Sequence, residues 1–565
     1  MSQTGPFRLA TEEIGPLPIV NHYINRLNID GILSQHLVTA NTRKVEPVRC
    51  IGLLLRNLVI ERQPMYGLQE WALRYKPELL DITPDMATAL NDDRIGRALD
   101  MMFDSDRASM QTEIVVRAIK EFKLDLSQMH NDATTITLSG QYQDANGDMK
   151  RGKDALNITY GYNKDHRPDL KQLLWYLTVT ADGAVPIHYR VSDGNAPESP
   201  THRETWDALR ALSRRSDFIY VADCKLCTGD NTDYISSHGG RFITVVPRNR
   251  KEDGWFREYL QTNNPDWVEV ERSKTDNSIE QKPEIWRMVE SPMRSAEGFR
   301  IVWVWCSRKL DQDKESRQYL IEKAVFNIDR LETRLRNPKN HLRSRDAVIE
   351  EAEIAVGEIA RRWVDYEIAE EKQSTFKQEK RGRPSPGTTY IRREKKKFHV
   401  NWHSRTDNIA YDARSDGMFP LMTNCEGMPL KDILDKYKFQ PRLEKRHEQL
   451  KTDYRVAPVF LKNVTRIEGL LFVYFVAMLV QALIEREIRN NMALLKCDSI
   501  PIYPEERECE APTTVRILEI FDKIELHKLR SDESLVQTFR TDLSEKQLGI
   551  LKLAGVPEEA YSRIS

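Results

Sequence analysis

Sixteen consecutive residues without a charge, GLLFVYFVAMLVQALI at 469–484, constrain this fold more than any other stretch of the chain. As an α-helix they span about 24 Å at ~1.5 Å per residue, short of the ~30 Å hydrocarbon core of a bilayer. A helix apolar on every side is read as buried on every side, which requires a large core around it. A chain of 565 residues can supply one, being long enough for about three to five domains. Charge is dense but balanced, with 85 Lys and Arg against 86 Asp and Glu, which excludes disordered and collagenous classes. The balance alone does not suggest a nucleic-acid binder, although a phosphate-binding stripe needs only a local excess of cations. The first thirty residues lack a basic stretch leading into an apolar one, so no signal peptide is read. Seven scattered cysteines form no disulfide framework, and a cytoplasmic protein without a membrane segment is expected.

Residues 1–122 carry helical periodicity in IGLLLRNLVI and ASMQTEIVVRAIKEF, broken by turn signals at Pro77, Thr83-Pro84-Asp85 and Asn91-Asp92-Asp93. They are read as an all-α N-terminal domain. From about 126 the period changes to that of strands: LSQMHNDATTITLSG, LLWYLTVTADGAVPIHYRVSDG, DFIYVADCK and RFITVVPRN. A helix over 201–215, with Thr201 at its N-cap and Glu204 three residues on, precedes the DFIYVADCK strand, and a short helix near 231–238 follows it. This order predicts a mixed sheet in an α/β core, with 123–250 as its first part. Residues 251–424 read as an insertion holding a strand at 299–307, a charged helical hairpin from Lys309 to about Lys380, and a basic segment. From 377 to 405 there are ten Lys and Arg against two Glu, a local excess of eight. The core resumes over 425–490, with a helix at 430–451 interrupted by Pro441 and the apolar helix after it, and 491–565 forms a helical tail.

Asp132 stands in the first strand of this core and Asp223 ends the strand FIYVADCK, both among residues suited to burial. Acids at the ends of adjacent strands converge on one site, which is how a hard cation such as Mg²⁺ is gripped. Each acid taken alone also reads as a cap on a strand end or turn. In a continuous helix over 430–451, Tyr437, Gln440, Glu444 and Lys451 share one face within roughly 60°. Glu448 falls close to the same face, so spacing does not choose between the two glutamates.

Together these residues resemble the DDE transposases of bacterial insertion sequences, in the branch with a Tyr-Arg-Glu-Lys signature around the acid. GYNKDHRPDLKQLLW (161–175), SDGMFPLMTN (415–424) and the segment 450–487 are similar to the subgroup with a long insertion before the catalytic Glu. The resemblance implies a ribonuclease-H-like core with Asp132, Asp223 and Glu444 as catalytic, metal-binding triad, the family pattern selecting Glu444. It implies two Mg²⁺ ions, which Mn²⁺ can replace, and in-line phosphoryl transfer on double-stranded DNA at the element's ends and at its target. Tyr437 and Lys451 would position phosphates, while Gln440 stands where the signature has Arg and lacks its charge and fork. The N-terminal domain would recognise terminal inverted repeats, and the active complex would be a homodimer on DNA in the bacterial nucleoid. The other readings are a metal-dependent nuclease that cuts without joining and an inactive DNA-binding derivative.

Arg381-Gly382-Arg383-Pro384 has the shape of a minor-groove hook, and with Lys395, Lys396 and Lys397 it is the candidate contact to DNA phosphates. A solvated loop is the competing reading. Cys224-x2-Cys227 is half a zinc site without a second pair, so no metal is expected there. His130 and Asn131 either orient Asp132 or simply pack on the strand, and Trp175, Trp303 and Trp305 are expected to fill the core.

Overall fold

The computed structural model describes residues 7–37, 45–273, 283–337, 339–454, 461–531 and 534–564. Residues 455–460, within the 450–487 segment singled out above, lie outside the described residues. The chain divides into two compact units, one made of residues 1–244 with 435–565 and the other of 245–434. The expected segments 1–122, 123–250, 425–490 and 491–565 therefore fall almost wholly in one unit, and the expected insertion 251–424 lies inside the other.

The first unit begins with a strand, β1 (Phe7–Glu13), before its helices α1 (Leu17–Arg26), α2 (Pro47–Ile60), α3 (Asp92–Asp104) and α4 (Arg107–Phe122). The turn signals start helices as expected: the Asn91 side chain accepts the Arg94 N–H at 2.8 Å, with Asp92 and Asp93 in the first turn of α3. Then follow β2 (Gln128–Leu138), β3 (Lys171–Thr180), β4 (Pro186–Asp193), α5 (Thr201–Ser213), β5 (Ile219–Ala222), α6 (Gly229–Ser237) and β6 (Arg241–Val245). These strands pair in the order β4-β3-β2-β5-β6. The first three are mutually antiparallel, and β5 and β6 run parallel to β2, giving the mixed arrangement that three strands and a crossover helix predict. One detail differs at α5, where Pro200 is the N-cap. Thr201 already lies in the helix and donates to the Glu198 carbonyl at 2.6 Å, and Glu204 pairs with Arg190 across to β4.

In the second unit β7 (Val268–Arg272), β8 (Ile285–Glu290) and β9 (Arg300–Cys306) precede two helices, α7 (Ser307–Arg336) and α8 (Arg345–Val356). The helical hairpin was expected to run to about Lys380, but from Val364 the chain is extended. β10 (Val364–Gln378) and β11 (Tyr390–Ser404) form an antiparallel ribbon in continuous register from Val364 opposite Ser404 to Gln378 opposite Tyr390. The strand signal was the alternation of Val364, Tyr366 and Ile368, and of Phe398, Val400 and Trp402, hidden among charges. β12 (Met418–Thr423) then pairs with β9, giving the order β12-β9-β8-β7. Trp303 is buried and stacks on Phe256 with ring centroids 4.0 Å apart, while Trp305 is half-buried under Arg287.

Back in the first unit, the helix over 430–451 is interrupted next to Pro441, as expected. One helix ends at Tyr437, α9 (Gln440–Glu448) starts with Pro441 in its first turn, and a π-helical turn covers Gln449–Asp453. Proline lacks the N–H that would continue the preceding helix, and it suits a helix start. The apolar run lies in α10 (Val464–Leu494), 31 residues long. By length and composition this helix could cross a membrane, and its most apolar window is wholly buried in the protein. It packs on α2, α3 and β4, with Tyr189 stacked on Phe475 at 4.7 Å. Gln481, the polar residue of the run, donates to the Val59 carbonyl at 3.0 Å and accepts the Tyr454 hydroxyl at 2.7 Å, so its amide is buried without loss of hydrogen bonds.

A Cβ on Gly469 would lie 2.6 Å from the Leu99 carbonyl oxygen, because α10 and α3 touch backbone to backbone there. Gly469→Ala is expected to cost about 1–3 kcal/mol through overpacking. A melting temperature equal to that of the wild type would refute this close approach.

The N-terminal segment is not purely helical. β1 pairs antiparallel with β13 (Glu525–Ser531), which pairs with β14 (Ser534–Arg540), so the strand's partner stands more than 500 residues away in sequence. The edge-strand segment FRLATEE carries no strong apolar period, which is why the helical reading extended over it.

Candidate active site

β2 and β5 are adjacent and parallel, with Asn131 opposite Ala222. Extending that register by one residue sets Asp132 beside Asp223, on strands about 4.8 Å apart and at the C-terminal end of β5. The Asp223 backbone is fixed by its neighbours: its carbonyl accepts the Thr244 hydroxyl at 2.7 Å, and its carboxylate accepts the Lys225 N–H at 3.0 Å. Burial pushes the Asp132 carboxyl up to about 7. The charges of Asp223 and Glu444 add to the rise, and the Lys164 ammonium opposes it. Glu444 is exposed on α9, and its charge reaches both Asp132 and Tyr437. Burial raises the Asp453 carboxyl, and the charge of Glu448 adds to that rise.

α9 is tied to β2 by a chain of buried amides around His130. Gln128 Nε2 lies 2.7 Å from His130 Nε2 and donates to the Lys436 carbonyl, and His130 Nδ1 lies 2.9 Å from Gln440 Oε1. With Gln128 donating, His130 carries its proton on Nδ1 and donates it to Gln440, whose own Nε2 reaches the Asn131 carbonyl at 3.3 Å. Burial holds the imidazole down at about 4, so the ring is neutral at pH 7. Asn131 donates to Thr178 on β3 at 2.9 Å.

Gln440 is therefore buried against β2 and does not face solvent with Glu444, a correction to the shared-face reading, which assumed an unbroken helix. The same bonds account for Gln where the signature has Arg, because a guanidinium has no acceptor for the His130 proton. Gln440→Leu would leave that buried donor unpaired and is expected to cost about 1–3 kcal/mol. Urea unfolding of the variant checks this, and an unchanged midpoint would rule the clamp out.

Tyr437 is half-buried, and burial together with the charges of Glu444, Asp223 and Asp132 pushes its phenol to about 12. It stays protonated and able to donate. Lys451, on the π-helical turn, pairs with Asp165 at 2.5 Å. Several residues here were not singled out by sequence reasoning. Lys164 donates to the Ala133 carbonyl at 2.6 Å and lies 3.8 Å from Asp132 and 3.6 Å from Glu198. His447 Nδ1 is 3.7 Å from Asp132, and complete burial holds this imidazole down at about 3, so it too is neutral. The signal for Lys164 and Asp165 was their place in GYNKDHRPDLKQLLW. Glu198 and His447 carried none.

Asp132, Asp223 and Glu444 thus act on one another electrostatically, although among the described residues no group of three His, Cys, Asp or Glu side chains closes to the spacing of a metal centre. The donor chemistry nevertheless fits a hard divalent cation, with carboxylate oxygens only, one of them raised by burial and by its like-charged neighbours. Cys224 and Cys227 do not add to it. Burial pushes the Cys224 thiol up, away from the thiolate form a metal needs, and none of the seven cysteines is in a disulfide.

The basic residues proposed to contact DNA lie in the second unit. Arg381 and Arg383 are exposed at the turn of the ribbon between β10 and β11. Lys395 and Lys397 stand on one face of β11, whereas Lys396 stands on the other and pairs with Glu370 at 2.8 Å, since side chains alternate along a strand.

Residues 9–116 match a family described as a domain of unknown function (DUF4277). Among curated proteins none matches the chain. Among solved structures, the cryo-EM synaptic complex of piggyBac transposase with hairpin DNA is similar at 8% identity and a TM-score of 0.36, over 84% of this chain and 76% of that one.

Proposed function

We propose that the protein is a DDE transposase of a bacterial insertion sequence, which binds the terminal inverted repeats of its element, cuts there and joins the ends to target DNA. The observation that carries this reading is the register of β2 and β5, which sets Asp132 beside Asp223 within electrostatic reach of Glu444. The strand order β4-β3-β2-β5-β6, with β3 antiparallel to both of its neighbours and β2, β5 and β6 parallel to one another, supports a ribonuclease-H-like core. The signature residues Tyr437, Glu444 and Lys451 add to it.

Asp132, Asp223 and Glu444 would hold two Mg²⁺ ions, or Mn²⁺ in their place. Such ions, when bound, activate the attacking water or 3′-hydroxyl and stabilise the leaving oxygen of an in-line displacement. Tyr437, kept protonated, donates its hydroxyl to a non-bridging phosphate oxygen. Lys451, oriented by Asp165, and Lys164, beside Asp132, supply positive charge to the phosphate that the carboxylates would otherwise repel. His130 stays neutral and holds α9 on β2, and His447 stays neutral beside Asp132. A homodimer acting on chromosomal DNA in the bacterial cytoplasm completes the reading.

The test is to incubate the purified full chain with Mg²⁺, a labelled duplex carrying the element end, and a target plasmid. End-specific nicking followed by strand joining is expected. Nicking without joining would replace the reading with a nuclease, and binding without cleavage would replace it with an inactive DNA-binding derivative.

A further inference from the structure

The ribbon of β10 and β11 is 15 residues long on each strand, about 50 Å at ~3.4 Å per residue. Two strands alone are marginal in water, and only the base of this ribbon is supported. Val364, Phe398 and Val400 are buried with Ile328, Leu331 and Val348 of the two helices. Beyond that base, the outer half of β10 and the facing residues of β11 are largely exposed.

The register sorts its charges by face. Residues directly opposite share a face, and neighbours along a strand alternate. One face of the outer half carries Lys377, Arg393, Lys395 and Lys397 beside Gln373, Thr375 and Ile391, with one carboxylate, Glu371, opposite Lys397 and turned to His399. Among the described residues no carboxylate lies within ion-pair distance of those four cations. On the other face two of the three cations are engaged: Arg392 pairs with Glu394 at 3.1 Å and donates to Ser374, and Lys396 pairs with Glu370. The basic run is thus split into a face with Lys372, Arg392 and Lys396 against two carboxylates and a face with four cations against one.

We infer that the ribbon lays the face bearing Lys377, Arg393, Lys395 and Lys397 along the phosphate backbone of duplex DNA, while its opposite face makes no contact. This rests on the reading of the protein as a DNA-joining enzyme. Alternate residues of a strand stand about 6.8 Å apart, so the row on β11 presents its cations at a regular spacing to a regularly charged backbone. A two-stranded ribbon also fits the ~12 Å major groove. Lysines beside Thr and Gln, with Ile391 as the one apolar side chain, suit a phosphate backbone better than a membrane surface. The contact is therefore independent of base sequence.

Two triple variants of the full chain remove equal charge from the same ribbon: R393S/K395S/K397S and K372S/R392S/K396S. Binding of a labelled duplex of arbitrary sequence is followed by fluorescence anisotropy between 50 and 200 mM salt. The first variant is expected to lose about tenfold or more in affinity, and its log–log salt slope to fall by about 2.7, at ~0.9 per phosphate contact. The second should stay within about twofold of wild type in the same assay. Equal losses in the two variants, or an unchanged first variant with unchanged melting temperature, would overturn the inference. So would a row that held vesicles of anionic phospholipid and not the duplex. A wild-type chain that neither binds nor cuts duplex DNA would overturn the functional reading as well. Asp132-dependent cutting with an unaffected first variant would remove the ribbon inference alone.

Discussion

Glu444→Gln is expected to slow strand cleavage by on the order of 10³-fold or more while duplex binding persists. At about 1.36 kcal/mol per decade this is a loss of about 4 kcal/mol of transition-state stabilisation, the scale expected when a charged ligand is removed from a phosphoryl-transfer centre. Glu444 is exposed on α9, so the isosteric amide is accommodated and the change acts on charge alone. Asp132→Asn and Asp223→Asn should behave alike. Glu448→Gln should cut as wild type does, since the charge of Glu448 acts on Asp453 one turn along the chain. A second readout does not depend on turnover: added Mg²⁺ should raise the melting temperature of the wild type and leave that of Asp132→Asn unchanged. Full activity in Glu444→Gln with loss in Glu448→Gln would mean that the wrong glutamate had been assigned.

Glu485→Ala should destabilise the protein by about 3–5 kcal/mol, the range for stranding one member of a buried ion pair. Glu485 on α10 and Arg446 on α9 are each 7% exposed at the side chain, and the guanidinium reaches Glu485 Oε2 at 2.8 Å. Arg446 also donates to the Ala184 carbonyl at 3.0 Å and to Gln449 Oε1 at 3.0 Å. The other oxygen of Glu485 accepts the Thr514 N–H at 3.0 Å, at the start of the helix Thr514–Glu519. Removing the carboxylate leaves a buried guanidinium without its counter-charge and the Thr514 N–H without its acceptor. Because Arg446 lies two residues from Glu444 on the same short helix, cleavage should fall along with stability. The double variant Arg446→Met/Glu485→Leu discriminates: it should recover much of the lost stability, since apolar packing replaces a buried pair at little cost. A double variant no more stable than Glu485→Ala would argue that other contacts of the two residues dominate.

Much of the candidate site was legible along the chain. Asp132 and Asp223 could be picked out because each interrupts a run of residues that otherwise favours burial, and their strands carry the period-two pattern. The preference for Glu444 over Glu448 came from resemblance, because helical spacing leaves the two on nearly one face. Lys164, Glu198 and His447 escaped because they sit in loops or on a polar helix where a charge or an imidazole is unremarkable. They become part of the site only when the loops after β2 and β4 return over the sheet. Gln440 was read as sharing a face with Glu444 because spacing was counted through one continuous helix. The break before Pro441 was visible, but the buried acceptor it creates for His130 was not. The ribbon was missed for the opposite reason, as its charged outer half masked the alternation at its base.

What the sequence determined by itself was local: which stretches are helical or extended, that residues 469–484 must be enclosed, and that one acid interrupts a strand while another ends one. These follow from side-chain periodicity and burial cost, which act over a few residues. Only the tertiary structure decided that β1 belongs with strands at the far end of the chain, that Asp132 lies level with Asp223, and which face of the ribbon carries the excess of cations. Each of those depends on strand register between distant segments, and a shift of one residue would turn every side chain to the other face. Register is set by hydrogen bonds and packing between partners that no short window of sequence contains.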